Sequence, residues 1–286
     1  MARLRQLTSP MRIDAPAKLN LCLFLGPRRG DGLHELCSLF EPLDLADAIE
    51  VSEAGRDEVL CAGVEGENLA ARALAALRGR GWDSPPLRIE IEKRIPMAAG
   101  LGGGSADAAA VLRLAQGAIG DLEEIAAELG ADVPSQLVPA LAWVEGAGER
   151  VERLPAPASH AALLLPGGGG LSTADVFAEA DRLGLGRDAG ELSELARCLR
   201  AAAGDGAWPL EYAELLANDL EPAARSLRPD IGEALDVLRD AGAPLVLLTG
   251  SGPTAVGLFP TLAEAKSAAV ALDRDDAIVC EAGRAP

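Results

Sequence analysis

An α+β fold in two parts is predicted by three observations. The first hundred residues are mostly short alternating or apolar runs punctuated by Gly, Pro and Asp; helical periodicity takes over at Ser105; and the C-terminal stretch mixes amphipathic helices with apolar strands. The 286 residues suffice for one large or two modest domains.

In chain order, strands are predicted at 12–14, 18–25, 36–45, 48–53, 58–61 and 87–93. Asn68 opens an Ala/Leu/Arg-rich helix that Gly79 ends. Helices follow at 106–116 and at 121–129, the second stopped by Gly130, and then strands at 141–144, 150–154 and 161–165. Pro155-Ala156-Pro157-Ala158-Ser159 reads as a linker, which divides the chain into domains 1–158 and 159–286. The second part carries helices at 173–183, 189–202, 212–217 and 230–240, then strands at 244–248 and 254–259, a helix at 262–272 and a strand at 277–281. No solenoid-type repeat is present.

The formal net charge of −18 argues against nucleic acid or an anionic membrane as a partner, because both need a basic field. A small anionic ligand is compatible with it, since backbone amides and a helix N-terminus hold phosphate locally. No run approaches the roughly 18 to 20 apolar residues of a membrane span, and residues 1–7 lack an apolar signal core. The expectation is a soluble cytoplasmic protein acting on a small molecule, as a monomer or weak homodimer. The five cysteines (Cys22, Cys37, Cys61, Cys198, Cys280) are scattered without a CxxC pair, so they read as small buried apolar residues rather than a disulfide framework or zinc site. Of 26 basic residues only Lys18, Lys93 and Lys266 are lysines. An ammonium kept where the chain otherwise uses guanidinium points to positions that need a compact cation.

Four segments carry chemistry. In Pro96-Met97-Ala98-Ala99-Gly100-Leu101-Gly102-Gly103-Gly104-Ser105-Ala106 a strand runs into a glycine-dense loop that becomes an Ala-rich helix. Such a loop lets the backbone approach a ligand and aim several N–H donors at it, beside the positive end of the helix, which suits a polyphosphate. It lacks the Gly-Lys-Ser/Thr of a Walker loop and the last glycine and distal acid of a dinucleotide fingerprint, so a hydride-transferring oxidoreductase fits poorly. A second glycine-punctuated loop, Leu247-Leu-Thr-Gly250-Ser251-Gly-Pro, reads either as a hairpin or as a wall of the same cleft. Ala15-Pro-Ala-Lys18-Leu-Asn20 puts an ammonium and an amide on one face of a strand. Gly130-Ala-Asp132-Val-Pro134 holds an aspartate that either caps a helix or takes a proton from an alcohol, with a lysine holding it ionised.

Together these segments resemble the GHMP kinase family, whose Pro-x-x-x-Gly-Leu-Gly-Ser-Ser-Ala box matches Pro96 to Ala106 with Gly103 and Gly104 at the usual serines. Asp31-Gly32-Leu33-His34, Asn68-Leu69, Glu92-Lys-Arg-Ile-Pro, Leu171-Ser-Thr173, Asn218-Asp-Leu-Glu and Leu248-Thr-Gly-Ser-Gly follow in the order of a branch whose acceptor is a cytidine diphosphate-linked methylerythritol. The resemblance implies a GHMP-type fold, with an N-terminal mixed domain, a ferredoxin-like C-terminal domain and the active site between them. It also implies ATP-dependent phosphorylation of the acceptor's 2-hydroxyl, in the non-mevalonate route to isoprenoid precursors.

The catalytic pair would be Lys18 and Asp132. The box from Pro96 to Ala106 would cradle ATP, with Asn68 and Lys93 toward the nucleoside. Asn20, His34, Phe40, Thr173, Phe177, Gly250 and Ser251 would hold the acceptor. Mg²⁺ would come with ATP, with Ser105 as a candidate ligand. Leu33 stands where that branch carries Tyr, and losing an aromatic platform costs about 1–3 kcal/mol of base binding. Another acceptor of homoserine or mevalonate type is the alternative, and a non-reacting sensor would be expected to lack Lys18 or Asp132.

Overall fold

A computed structural model describes residues 9–63 and 68–286, so the reading of the first seven residues falls outside the described part. Two long antiparallel strands dominate it, β1 (Met11–Arg28) and β2 (His34–Glu53), where the sequence suggested four shorter ones. Pro16 and Asp47 look like strand breakers, but the ladder shifts register between Pro16 and Lys18, a bulge that absorbs the missing proline donor. The Asp47 carboxylate meanwhile accepts the backbone N–H groups of Arg94 and Ile95 at 2.6 and 2.8 Å, which makes a polar residue tolerable inside the strand.

Around this pair the sheet grows in both directions. β3 (Glu58–Cys61) runs parallel to β4 (Leu87–Glu92), which pairs with β2, as does β5 (Ala142–Gly146) with β6 (Arg150–Arg153) beyond it. On the C-terminal side β10 (Ile278–Ala282), β7 (His160–Leu165), β9 (Ala255–Phe259) and β8 (Leu245–Leu248) form an antiparallel sheet in that order. The two sheets meet at a single ladder pair, Leu43 with Ala282.

Nearby the Nε2 of His160 lies 3.2 Å from the Oε2 of Glu41, an ion pair with both side chains fully buried. The Glu41 carboxylate raises the His160 pKa even though burial alone would lower it.

Three large apolar clusters, all threaded by β1, and a small fourth of Phe40, Ala142 and Val144 form the core. Ala15 packs under α1 (Leu69–Gly79) and α2 (Gly103–Arg113), Leu19 and Leu21 pack in the central cluster, and Leu23 and Leu25 pack with α8 (Asp230–Asp240) and α9 (Leu262–Leu272). β7 is buried on both faces. Ala161, Leu163 and Leu165 join the cluster of α8 and α9, whereas Ala162 and Leu164 join the central one, as the two-residue period of a strand requires.

The other predicted helices form as α3 (Leu122–Leu129), α5 (Thr173–Leu183) and α6 (Ala189–Ala203), the last opened by an Asp188–Glu191 capping box. Three readings need correction. The helix expected at 212–217 is a 3₁₀ helix at Pro209–Leu215, broken at Tyr212, whose φ of −128° is not helical. The helix expected from residue 106 begins at Gly103, so two of the loop's glycines lie inside α2. Two short helices were not anticipated, α4 (Val133–Gln136) and α7 (Glu221–Leu227). Each has proline in its first turn, where no N–H is needed, and each is too short to show a period.

The cysteines are all unpaired; Cys22, Cys37 and Cys280 are buried as expected, but Cys61 and Cys198 are only partly covered. Among the described residues no helix is long and apolar enough to cross a membrane.

Candidate active site

Where the two sheets' loops converge lies a cavity of about 630 Å³. The segment from Pro96 to Ser105 makes one side of it, with Asn68 and Lys93 beside it; Lys18, Asn20, Phe40 and Asp132 line it too, as do Thr173, Phe177, Gly250 and Ser251 from the C-terminal half. Two predicted residues do not line it. Ala106, in the first turn of α2, is fully buried in the core. His34 sits outside, its Nδ1 3.2 Å from the Gly26 carbonyl and its ring 5.9 Å from that of Phe177. The Nε2 of His34 lies 2.9 Å from Asp181 in an ion-pair contact, out of line for a hydrogen bond.

The glycine loop is shaped by what it must pass. Gly100 has φ +76°, and a Cβ there would sit 2.7 Å from the Thr249 carbonyl oxygen of the second glycine loop. Gly102, at φ +71°, precedes α2 with no capping side chain. A Cβ on it would lie 3.0 Å from the Lys18 side chain. The amides of Gly103, Gly104 and Ser105 open the helix with no intrahelical acceptor, which leaves them and the helix dipole for an anion.

The loops are stapled together. The Thr254 hydroxyl donates to the Ala99 carbonyl at 2.6 Å, the Asn20 backbone N–H donates to Thr249 Oγ1 at 2.8 Å, and the Lys18 N–H donates to the Leu101 carbonyl at 3.0 Å. The Asn218 amide donates to the Leu248 and Gly250 carbonyls at 2.8 and 2.7 Å; the second loop joins β8 to β9 as an antiparallel hairpin, and its Gly250 and Ser251 also line the cavity.

Lys18 is buried, its Nζ donating to Asn20 Oδ1, lying 3.3 Å from Asp132 Oδ2 and stacked 4.5 Å from the centre of the Phe40 ring. The orientation of the Asn20 amide follows from its neighbours. Ser38 donates its hydroxyl proton to the Cys22 carbonyl, so it must accept from Asn20 Nδ2, which turns Oδ1 toward the ammonium. Asp132 occupies the N-cap position of α4 yet makes no capping bond, so its carboxylate, 32% exposed, faces Lys18 and the cavity.

The second lysine is placed differently. Lys93 Nζ binds Asp47 and, at 2.9 Å, Asp107 on α2. Burial pushes the Asp107 carboxyl up to about 7 against the pull of Lys93, with Asp47 adding to the rise. Burial works against the Lys93 ammonium, but Asp107 and Asp47 raise its pKa all the same. Sequence reasoning missed Asp107 and Asp47; a lone acid within the alanines of α2 and another within the apolar β2 are the signals that would have found them. It also missed Cys61, Leu69 and Gly148 as lining residues. Among the described residues no group of three or more His, Cys, Asp or Glu is arranged to hold a metal ion.

Comparison with known proteins extends this geometry. Residues 68–139 match the GHMP kinases N terminal domain and residues 191–277 match the GHMP kinases C terminal domain. The chain is 39% identical over 272 residues to a 4-diphosphocytidyl-2-C-methyl-D-erythritol kinase of Anaeromyxobacter sp. (strain K), covering 90% of this chain and 83% of that one. It is 38% identical over 282 residues to the protein of the same name from Thermobifida fusca (strain YX), covering 91% and 90%. A crystal structure of 4-(cytidine 5'-diphospho)-2C-methyl-D-erythritol kinase superposes with a TM-score of 0.78 at 36% identity, covering 96% of this chain and all of that one. The homoserine kinase of Cytophaga hutchinsonii shares the fold, with a TM-score of 0.70 at 18% identity over 100% of this chain and 98% of that one.

Proposed function

The chain belongs to the GHMP kinase family, in its 4-diphosphocytidyl-2-C-methyl-D-erythritol kinase branch, and on that premise we propose that it moves the γ-phosphoryl group of ATP onto the 2-hydroxyl of 4-diphosphocytidyl-2-C-methyl-D-erythritol, giving the 2-phosphate and ADP. The observation that carries the catalytic reading is the Lys18–Asp132 pair, an ammonium and an uncapped carboxylate 3.3 Å apart in the cavity that the glycine loop lines.

Asp132 takes the hydroxyl proton as the acceptor oxygen attacks, and Lys18, 3.3 Å from the carboxylate, orients it and offsets charge gathering at the reacting oxygens. The amides at the start of α2 hold the phosphates, and Asn68 and Lys93 border the nucleoside end. Asn20, with one Nδ2 proton not taken by Ser38, reaches the erythritol hydroxyls. Phe40, Thr173, Phe177, Gly250 and Ser251 form the acceptor wall, where the Thr173 and Ser251 hydroxyls lie 2.9 Å apart. In this reading His34 meets cytosine only past Phe177, and Leu33, 55% exposed, supplies no aromatic platform.

Mg²⁺ fits as a companion of ATP rather than as a caged ion. It keeps most of its ligands as water and phosphate and needs one or two protein oxygens, and Ser105 at the cavity offers one. When bound it neutralises charge on the transferring group. We assign the protein to the cytoplasm, where ATP is supplied.

The test is ADP release by the purified protein with Mg-ATP, comparing 4-diphosphocytidyl-2-C-methyl-D-erythritol with no acceptor, homoserine and mevalonate. Turnover confined to the cytidyl acceptor is the expected result. Turnover with one of the other acceptors instead moves the substrate, and none on any acceptor refutes the kinase reading.

A further inference from the structure

α4 is a single turn, yet it carries Asp132 at its start. So short a helix has almost no stability of its own, because nucleation costs more than one turn returns. The Pro134 carbonyl accepts a long 3.4 Å bond from the Leu137 N–H, and the last carbonyls are otherwise held from outside. Arg153 on β6 donates through Nη2 to the Ser135 carbonyl at 2.9 Å and the Pro134 carbonyl at 3.3 Å. Arg113, the final residue of α2, donates through Nη1 to the Gln136 carbonyl at 2.8 Å and through Nη2 to the Asp14 carbonyl of β1, also at 2.8 Å.

These two arginines are unlike most others in the chain. Arg78, Arg80, Arg187, Arg228 and Arg274, for example, face carboxylates, whereas among the described residues Arg113 and Arg153 bond only to main-chain carbonyls, and both are partly buried. Cations at the C-terminal end of a helix also suit its dipole.

Arg113 ties three elements at one point: α2, which begins in the glycine loop; β1, which carries Lys18 four residues after Asp14; and α4, which carries Asp132. We propose that Arg113 and Arg153 are positioning residues that clamp α4 by its C-terminal carbonyls and so keep the Asp132 carboxylate in register with Lys18 and the acceptor hydroxyl. This rests on the reading of Asp132 as the base.

A misplacement of about 1 Å at a reacting group can cost on the order of 100-fold in rate. Arg113→Met and Arg153→Met are therefore expected to lower kcat by roughly 10- to 100-fold with the KM for ATP nearly unchanged. Arg113→Lys, which keeps a cation able to reach one carbonyl, should recover part of the loss.

The deciding measurement is a cycle of ADP-release rates with Mg-ATP and 4-diphosphocytidyl-2-C-methyl-D-erythritol, in the presence and absence of Asp132→Asn. If the arginines act through Asp132, Arg113→Met or Arg153→Met lowers turnover in the otherwise unaltered enzyme and has no further effect once Asp132→Asn is present. An equal fall in both backgrounds, or a rise in the KM for ATP with kcat kept, overturns the clamp. Should Arg113→Met fail to fold, Arg153→Met and Arg113→Lys carry the same cycle. Full turnover by Asp132→Asn alone overturns instead the reading of Asp132 as the base, and the inference falls with it.

Discussion

The cavity holds two lysines, and they are built in opposite ways. Lys18 meets one amide, one aromatic face and one carboxylate that remains about one-third exposed. Lys93 is held between two carboxylates whose side chains are 0% and 5% exposed. The first leaves a partner open toward the space a substrate would enter, whereas the second has its charge consumed by the protein, with Asp47 also binding the amides of Arg94 and Ile95 where the chain turns into the glycine loop. The same side chain is thus placed for chemistry in one case and for shape in the other, and the difference lies in the exposure of the partners rather than in the lysine.

Breaking each pair should therefore give different symptoms. Asp132→Asn is expected to lower kcat by about 10²- to 10⁴-fold, as loss of a general base does, with Tm and the KM for ATP close to those of the parent; steady-state ADP release and a thermal melt on one preparation check both. Lys93→Met leaves two buried carboxylates unpaired, and removing one partner of a buried ion pair costs about 3–5 kcal/mol of stability. Denaturant unfolding should show that loss, and an unchanged midpoint would mean that Lys93 does not hold the fold.

The loop between the lysines is tested by Gly100→Ala, where a positive φ and a Cβ 2.7 Å from a carbonyl oxygen combine. A loss of about 1–3 kcal/mol is expected, together with weaker ATP binding by calorimetry, because the loop must move away from Thr249.

The fully buried ion pair of Glu41 with His160 at the seam between the sheets lies outside the cavity and serves as the control. Because the His160 pKa is raised in the folded protein, its contribution to stability is fully present below the unfolded value of about 6.5 and is lost as pH rises through the folded value. Melts from about pH 6 to 9 should show that this decline disappears in His160→Gln while turnover persists. A decline of equal size in the variant would place its origin elsewhere.

What the residues told by themselves was local or repetitive. The glycine loop, the helix opened by Asn68, the long amphipathic helices and the apolar strands are written in contiguous residues, because backbone conformation and one-sided burial are decided within a few positions. The scarcity of lysine drew attention to Lys18 and Lys93 for the same reason, as composition needs no fold. Only the tertiary structure decided that β1 and β2 are continuous through Pro16 and Asp47, since a bulge and two distant amides supply what the local sequence withholds. It also decided that Lys93 meets Asp47 and Asp107, that His34 stands behind Phe177 and that a one-turn helix survives under two arginines. Each of these depends on charges and hydrogen bonds between elements far apart in the chain, whose energy is gained only once packing has brought them together and excluded water.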